Sequence, residues 1–112
     1  MMLWIWMSGM RYSQYEVVIV NLNPTVGTEI RKVRPCLIIS PNEMNFDNVI
    51  VAPLTSTKRD YPTRVEIETN SFVVLDQLRT ISVKRITKKS QMQISKSKIK
   101  EIKQLLKAML VD

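Results

Sequence analysis

Short runs of apolar and β-branched residues, separated by turn residues, fill positions 15 to 86 of the chain. In the clearest run, positions 63–68, Val65 and Ile67 share one face and charged side chains share the other, which is the period of a half-buried β-strand. The pattern predicts six short antiparallel strands, at 15–20, 36–40, 48–54, 63–68, 72–75 and 79–83. A succession of strands without intervening helices favours a β-sandwich or a small β-barrel.

Two of these strands are expected to form a hairpin in the middle of the chain. Residues 36–40 are apolar with almost no alternation, which is typical of a strand that is covered on both faces. Pro41 ends this strand, a polar tip follows around Asn45, and residues 48–54 return as the next strand. Pro35 keeps Arg34 in an extended conformation, which allows Arg34 to continue the strand. We therefore expect residues 34–40 and 48–55 to pair as the hairpin.

The hydrophobic period changes towards the end of the chain. Apolar residues recur there three or four positions apart, at Ile99, Ile102, Leu106 and Met109, with Leu105 and Leu110 beside them. Ser95 is a suitable N-cap for a helix that begins after it. We therefore expect a mainly β (α+β) fold, in which a C-terminal amphipathic helix packs its apolar stripe against a small antiparallel β-barrel. A groove for a partner protein is the alternative use of that stripe.

The first residues form a short apolar segment that differs from the rest of the chain. Residues 1–7 lack a basic region before them, no small-residue cleavage site follows, and the run is shorter than the ~18 residues of a membrane span. We expect neither export nor membrane insertion. The regular pattern begins only at Tyr12, so we hypothesise that translation starts at Met10. Residues 1–9 would then be an upstream hydrophobic arm, and residues 10–112 a single domain.

Basic residues outnumber acidic ones by 17 to 10 and are concentrated late in the sequence. Between positions 84 and 107 nine residues are basic and one, Glu101, is acidic. A positive field of this size attracts polyanions, such as a nucleic acid or an acidic protein segment. The alternative is an ordinary solvated helix face.

The composition also excludes several kinds of chemistry. The chain has no histidine and a single cysteine, Cys36, so a Cys/His zinc site, a Cys–His dyad, a Ser–His–Asp triad and an internal disulfide are impossible. Two glycines are too few for a phosphate-binding loop, and no carboxylate-rich metal motif is present. We expect neither a metal ion nor a cofactor.

One pair of polar residues is brought together by the predicted hairpin. In an antiparallel ladder the numbers of paired residues keep a constant sum, so a register that pairs Ser40 with Val49 also pairs Arg34 with Thr55. A guanidinium beside a hydroxyl suits a phosphate and the extra charge of a phosphoryl transition state. RNA supplies its own 2′-OH nucleophile, so histidine and metal are not obligatory. The alternatives are a salt bridge from Arg34 to Glu29 and a Thr55 hydroxyl that satisfies local backbone.

Six short sequence motifs, spread over most of the chain, carry a resemblance to a known family. They are NPTVGTE at 23–29, VRP at 33–35, SP at 40–41, PLTS at 53–56, YP at 61–62 and LDQLRTI at 75–81. In this order and spacing, residues 15 to 110 resemble the MazF/PemK/Kid family of toxin endoribonucleases. The arm before Met10 lies outside the resemblance.

The resemblance implies a fold and an activity. The fold would be an SH3-like barrel, and the protein a homodimeric, cytoplasmic toxin of a type II toxin–antitoxin system. It would cleave single-stranded mRNA at a short sequence without metal, leave 2′,3′-cyclic phosphate and 5′-hydroxyl ends, and so inhibit translation and growth. Its partner would be an acidic MazE-like antitoxin that occupies the same groove as RNA.

The resemblance also assigns roles to residues. Arg34 matches the family's arginine as transition-state stabiliser and candidate general acid, and Thr55 matches its catalytic partner. Because a guanidinium holds its proton tightly, charge stabilisation is the safer role for Arg34. The residues expected to contact RNA or support the site are Glu29, Thr28, Ser56, Asp76, Gln77 and Arg79. The chain departs from the family at Thr28, where some relatives have histidine, and at Val74, where the Kid branch has arginine. The second departure favours the Arg34/Thr55 arrangement and leaves Asp76 in a supporting role.

Two further readings stay open at this stage. CcdB-like toxins have a related barrel and inhibit gyrase by protein contact, so fold alone does not choose between a nuclease and an inhibitor. A barrel that only binds RNA would present exposed aromatic residues for base stacking. Outside the arm, the aromatic residues are Tyr12, Tyr15, Phe46, Tyr61 and Phe72, and we expect Tyr15 and Phe72 in the core.

Overall fold

The fold was analysed in a computed structural model, which describes residues 12–22 and 33–111. Its strands are β1 (Val17–Asn21), β2 (Val33–Ile38), β3 (Asn48–Thr55), β4 (Arg64–Glu68), β5 (Ser71–Val74), β6 (Arg79–Ser82) and β7 (Ile86–Lys89). One helix, α1 (Lys96–Leu110), follows them. Every strand pair is antiparallel. The predicted class, an antiparallel β fold with a C-terminal helix, is confirmed.

The strand count and several strand boundaries differ from the prediction; the strand predicted at 36–40, for example, is Val33–Ile38. The described residues contain seven strands rather than six, because residues 86–89 pair with β1. This strand is mostly polar and exposed, so it has no apolar alternation to mark it in the sequence. β1 begins at Val17 rather than Tyr15, because Tyr15 adopts a left-handed turn conformation with φ of 67°.

The long central strand β3 organises the sheet. The strand order is β4-β5-β3-β2-β1-β7, and β6 also pairs with β3. Residues 48–51 of β3 pair with β6, whereas residues 54–55 pair with β5. Pro53, which has no N–H to donate, lies where β3 changes partner. Within the described ranges β4 and β7 do not pair with each other, so the ladder of this barrel-like sheet stays open.

Two apolar clusters cover the two faces of the central hairpin. Leu37 belongs to the cluster that packs against α1, whereas Cys36 and Ile38 belong to the cluster on the opposite face. All three side chains are fully buried. This confirms the prediction of a strand that is covered on both sides, and it explains why β2 lacks alternation.

The C-terminal helix forms as its spacing predicts. The Ser95 hydroxyl caps it by accepting a hydrogen bond from the backbone N–H of Lys98 at 3.3 Å. Ile102 is fully buried in the first cluster, and Leu106 and Met109 pack against it. Leu110 is 66% exposed and lies outside the core. The apolar stripe is therefore mainly core, as expected.

None of the helices in the described ranges is long and apolar enough to cross a membrane. The predicted arm, residues 1–9, lies outside the described residues, as does the proposed start at Met10.

Candidate active site

The register of the β2–β3 hairpin brings Arg34 and Thr55 together. Cys36 pairs with Pro53 and Ile38 with Val51, which is the register predicted from the sequence. Continued two residues beyond Cys36, this register sets Arg34 opposite Thr55. Residues directly opposite each other in an antiparallel pair share a face, so both side chains lie on the same side of the sheet.

Arg34 and Thr55 line one pocket at the open end of the hairpin. Its volume is about 410 Å³, and its lining residues are Arg34, Pro35, Leu54, Thr55, Ser56, Thr57 and Ser71. Both Arg34 and Thr55 are partly buried, while Ser56 and Thr57 are exposed. The pocket thus offers one guanidinium and several hydroxyl groups to a ligand that approaches from solvent, a set of donors suited to a phosphate.

The Thr55 hydroxyl is held by the backbone that follows it. The Thr57 N–H donates a hydrogen bond to Thr55 Oγ1 at 3.2 Å, a local turn that threonine commonly forms. This is the local backbone contact that we considered as the alternative role for Thr55. The contact uses only an acceptor lone pair, so the hydroxyl hydrogen can still be donated into the pocket.

Arg64, at the start of β4, fixes the loop of residues 56–62 beside the pocket. Its Nη1 donates to the Thr57 carbonyl oxygen at 2.7 Å, and its guanidinium lies over the Tyr61 ring, 5.6 Å from the centroid. Its backbone N–H donates to the Tyr61 carbonyl oxygen at 3.1 Å. Arg64 Nε is buried and has no hydrogen-bond partner in the described part of the chain. One side chain therefore holds both ends of this loop, with one of its own donors left unsatisfied.

Burial and two nearby arginines shift the pKa of the Cys36 thiol in opposite directions. Burial of Cys36 raises its pKa from about 9.0 to about 11, and the nearby positive charges of Arg34 and Arg79 partly oppose that shift. Arg79 pairs with Val51, and Val51 pairs with Ile38, so Arg79 lies on the face of the sheet that carries Arg34. The Arg34 and Arg79 charges thus act on the same buried thiol.

The other predicted site residues fall into three groups. Ser56 lines the pocket. Asp76 and Gln77 are the exposed residues of the 3-10 turn Leu75–Gln77, and Arg79 begins β6. Asp76, Gln77 and Arg79 do not belong to the pocket lining. Thr28 and Glu29 lie outside the described residues, and with them the alternative salt bridge from Arg34 to Glu29.

Sequence reasoning did not single out several residues that complete the site. Thr57 could have been found, since the Thr-Ser-Thr run at a strand end is a signal for a hydroxyl-stabilised turn. Ser71 and Arg64 carry no such local signal. Ser71 reaches the pocket because β5 pairs with the end of β3, whereas Arg64 contacts the loop that immediately precedes it in the chain.

The predicted basic field spreads over β7, the turn before it and α1. Some of its members have local partners: Lys89 pairs with Glu16 at 3.2 Å and Lys98 with Glu101 at 3.5 Å. Others are exposed, including Lys84, Lys88, Lys96, Lys100 and Lys107. Much of the field is therefore available to a polyanion, as the composition indicates.

Comparison with known proteins bears on the family and the fold of this chain. A family described as the PemK-like, MazF-like toxin of type II toxin–antitoxin systems matches residues 13–110. The endoribonuclease MazF of Staphylococcus epidermidis is 36% identical to this chain over 98 residues, covering 78% of this chain and 81% of that protein. A match of this extent and identity establishes family membership.

Solved structures give the same fold. A chain of the MazE–MazF crystal structure from Deinococcus radiodurans superposes with a TM-score of 0.76, covering 89% of this chain and 96% of that chain at 22% identity. An endoribonuclease from a mycobacterial species, solved in complex with its cognate antitoxin, gives a TM-score of 0.73, covering 88% and 94% at 22% identity. Together with the family match, these similarities show that the chain belongs to the PemK/MazF family of type II toxin–antitoxin toxins.

Proposed function

We propose that this toxin is a sequence-specific endoribonuclease that cleaves single-stranded mRNA without a metal ion. The observation that carries the proposal is that Arg34 and Thr55 line one pocket, just beyond the Cys36–Pro53 pair that ends the β2–β3 ladder. The similarity to an endoribonuclease of 36% identity supports the reaction class.

The reaction we propose is an internal transesterification. The 2′-oxygen of one nucleotide bonds to the adjacent phosphorus, the bond from phosphorus to the 5′-oxygen breaks, and the products are a 2′,3′-cyclic phosphate and a 5′-hydroxyl. The proton that leaves the 2′-OH is balanced by the one that the 5′-oxygen gains. Neither water nor a metal ion enters the balance, which agrees with a chain that has no histidine and one buried cysteine.

Arg34 would stabilise the negative charge that grows on the phosphoryl oxygens, because a guanidinium forms two parallel charge-assisted hydrogen bonds to such a group. Thr55 would donate its hydroxyl hydrogen to the same group, since its lone pair already accepts from the Thr57 N–H. Glu29, Thr28, Ser56, Asp76, Gln77 and Arg79 would contact or orient the RNA around this centre.

The proposal includes partners and location. The active form would be a homodimer in the cytoplasm, where mRNA is found, and its activity would inhibit translation and growth. The exposed lysines of β7 and α1 would attract RNA or, in its place, the acidic tail of a MazE-like antitoxin.

The test incubates the purified wild type with a long mixed-sequence RNA in EDTA and maps the cut ends. Arg34→Ala is expected to lose cleavage by about 1000-fold or more, since it removes the main charge-stabilising donor. Thr55→Val, which keeps the shape of the side chain, is expected to lose about 100-fold. Circular dichroism and thermal unfolding check that both variants fold.

Discrete cuts with 5′-hydroxyl ends, made by the wild type and lost in Arg34→Ala, would support the proposal and reveal the recognition sequence. Near-normal cutting by a folded Arg34→Ala protein would refute the site. If a folded, antitoxin-free wild type cuts nothing, the nuclease proposal fails, and a gyrase supercoiling assay then tests the CcdB-like alternative.

A further inference from the structure

Tyr61 differs from the other aromatic residues of the described chain. It is 54% exposed, whereas Phe72 is buried and Tyr12, Tyr15 and Phe46 are partly buried. A ring that is this exposed has a face that a planar ligand can reach. Tyr61 lies on the loop that leaves Thr55 and the candidate site.

Arg64 holds this ring in place. The guanidinium covers one face of the ring at 5.6 Å from the centroid, and the same group donates to the Thr57 carbonyl oxygen at 2.7 Å. The hydrogen bond from the backbone N–H of Arg64 to the Tyr61 carbonyl oxygen holds the main chain as well. An aromatic ring that is immobilised before binding loses little conformational freedom when a planar ligand stacks on it.

The ring also lies at a suitable distance from the pocket. Thr57 lines the pocket, and one planar guanidinium joins it to Tyr61, so the ring centroid lies within roughly 10 Å of the Thr57 carbonyl oxygen. Successive bases of an extended single strand are spaced on this scale. Between the two residues, Lys58 and Arg59 are exposed and Asp60 is the single opposing charge, so the loop carries a net positive charge beside the ring.

We propose that Tyr61, held by Arg64, is a stacking platform for an RNA base that flanks the nucleotide bound at the Arg34/Thr55 pocket. This inference rests on the proposed function for its ligand, a single-stranded RNA. Lys58 and Arg59 contact the backbone of the same strand. A stacking contact accepts every base to some degree, so Tyr61 contributes more to affinity than to the choice of base.

The test measures binding separately from cutting. The probe is a fluorescently labelled pool of single-stranded 12-nucleotide RNAs with 2′-O-methyl ribose throughout. These RNAs lack the 2′-OH nucleophile and therefore cannot be cleaved. Tyr61→Leu, which keeps an apolar side chain but removes the ring, is expected to weaken binding roughly tenfold. Tyr61→Phe, which keeps the ring, is expected to retain most of the wild-type affinity. Met44→Ala serves as the matched control, because Met44 is similarly exposed at 52% but lies in the turn between β2 and β3.

The salt dependence of binding identifies the kind of contact. A stacked ring neutralises no phosphate, so Tyr61→Leu is expected to keep the wild-type slope of log affinity against log salt concentration, whereas Lys58→Ala reduces that slope.

Equal affinity of Tyr61→Leu and wild type overturns the inference, as does a loss of affinity in Tyr61→Phe as large as that in Tyr61→Leu. Cutting of unmodified RNA by the wild type is scored independently. If the wild type cuts RNA but Tyr61→Leu binds as well as the wild type, only the stacking platform is overturned. If binding depends on Tyr61 but the wild type does not cut, only the nuclease is overturned. Absence of binding by the wild type overturns the stacking platform, and the nuclease is then judged by the cutting of unmodified RNA alone.

Discussion

Arg34 and Cys36 stand two positions apart on β2, so one face of a single strand carries both a pocket-lining cation and a buried thiol. The Cys36 Sγ lies 3.8 Å from the Arg34 carbonyl oxygen, and the side chain is fully buried. Burial disfavours the thiolate more than the two nearby arginines favour it, so the thiol pKa is raised to about 11. The thiol therefore acts as part of the core and not as a nucleophile.

This arrangement predicts slow alkylation of Cys36 and a pH-dependent stability. At pH 8 the folded protein should react with iodoacetamide at least roughly 100-fold more slowly than the urea-unfolded chain, because little thiolate is present and access is closed. The folded state binds the thiol proton more tightly than the unfolded state, so this stabilisation is complete below about pH 9 and is lost as the pH rises towards 11.

The stability change expected in this pH range is roughly 2–3 kcal/mol in the free energy of unfolding. Urea unfolding of wild type and Cys36→Ala at pH 8, 9.5 and 11 measures it. The variant keeps all other titrating groups, so only the difference between the two pH profiles counts. Parallel profiles would contradict the prediction.

The loop between β3 and β4 shows how one element depends on another. Arg64 belongs to β4, yet its side chain contacts the Thr57 carbonyl and the Tyr61 ring of the preceding loop. Among the described residues Arg64 Nε is buried without a partner, which costs about 1–3 kcal/mol that the hydrogen bond and the ring contact must offset. The loop that borders the pocket is therefore ordered by a residue outside the pocket.

Replacing Arg64 should loosen this loop and leave the sheet intact. In Arg64→Met, which keeps the long apolar stem, hydrogen exchange of the hydrogen-bonded amides at positions 57 and 64 is expected to accelerate roughly tenfold, because the charged donor that orders the loop is lost. Hydrogen exchange followed by mass spectrometry measures this, and Arg59→Met is the control in the same loop. Unchanged exchange in Arg64→Met would show that the loop is held by other contacts.

At the scale of the whole molecule, the net charge of +7 is the property most relevant to partners. Lys89 and Lys98 are paired with carboxylates, whereas several other lysines of β7 and α1 are exposed. RNA and an acidic antitoxin tail would meet the same positive surface, so either would exclude the other by occupancy and by charge.

Both kinds of binding should weaken as salt is added. With a few phosphate contacts, RNA affinity is expected to fall on the order of 10- to 100-fold between 50 and 200 mM salt, because each neutralised phosphate releases counterions. Fluorescence anisotropy with the 2′-O-methyl RNA pool measures it, and an acidic peptide gives the parallel series. An RNA affinity that stays flat over this range would contradict binding in a positive groove.

The sequence determined the features that depend on neighbouring residues. The β2–β3 register, and with it the approach of Arg34 to Thr55, follows from a short hairpin whose apolar run allows little slippage. The Ser95 cap and the buried stripe of α1 follow from a helical period. β7 escaped prediction because an exposed edge strand needs no apolar alternation.

Tertiary structure alone decided what surrounds the Arg34/Thr55 pair. Ser71 reaches the pocket and Arg79 reaches the face of Arg34 only because β3 pairs with β6 along its first half and with β5 at its end. Such pairings join segments that are distant in sequence, and their choice depends on how the bent sheet buries its two apolar clusters. Local periodicity specifies which face of a strand is buried, but it does not specify which strand lies beside it.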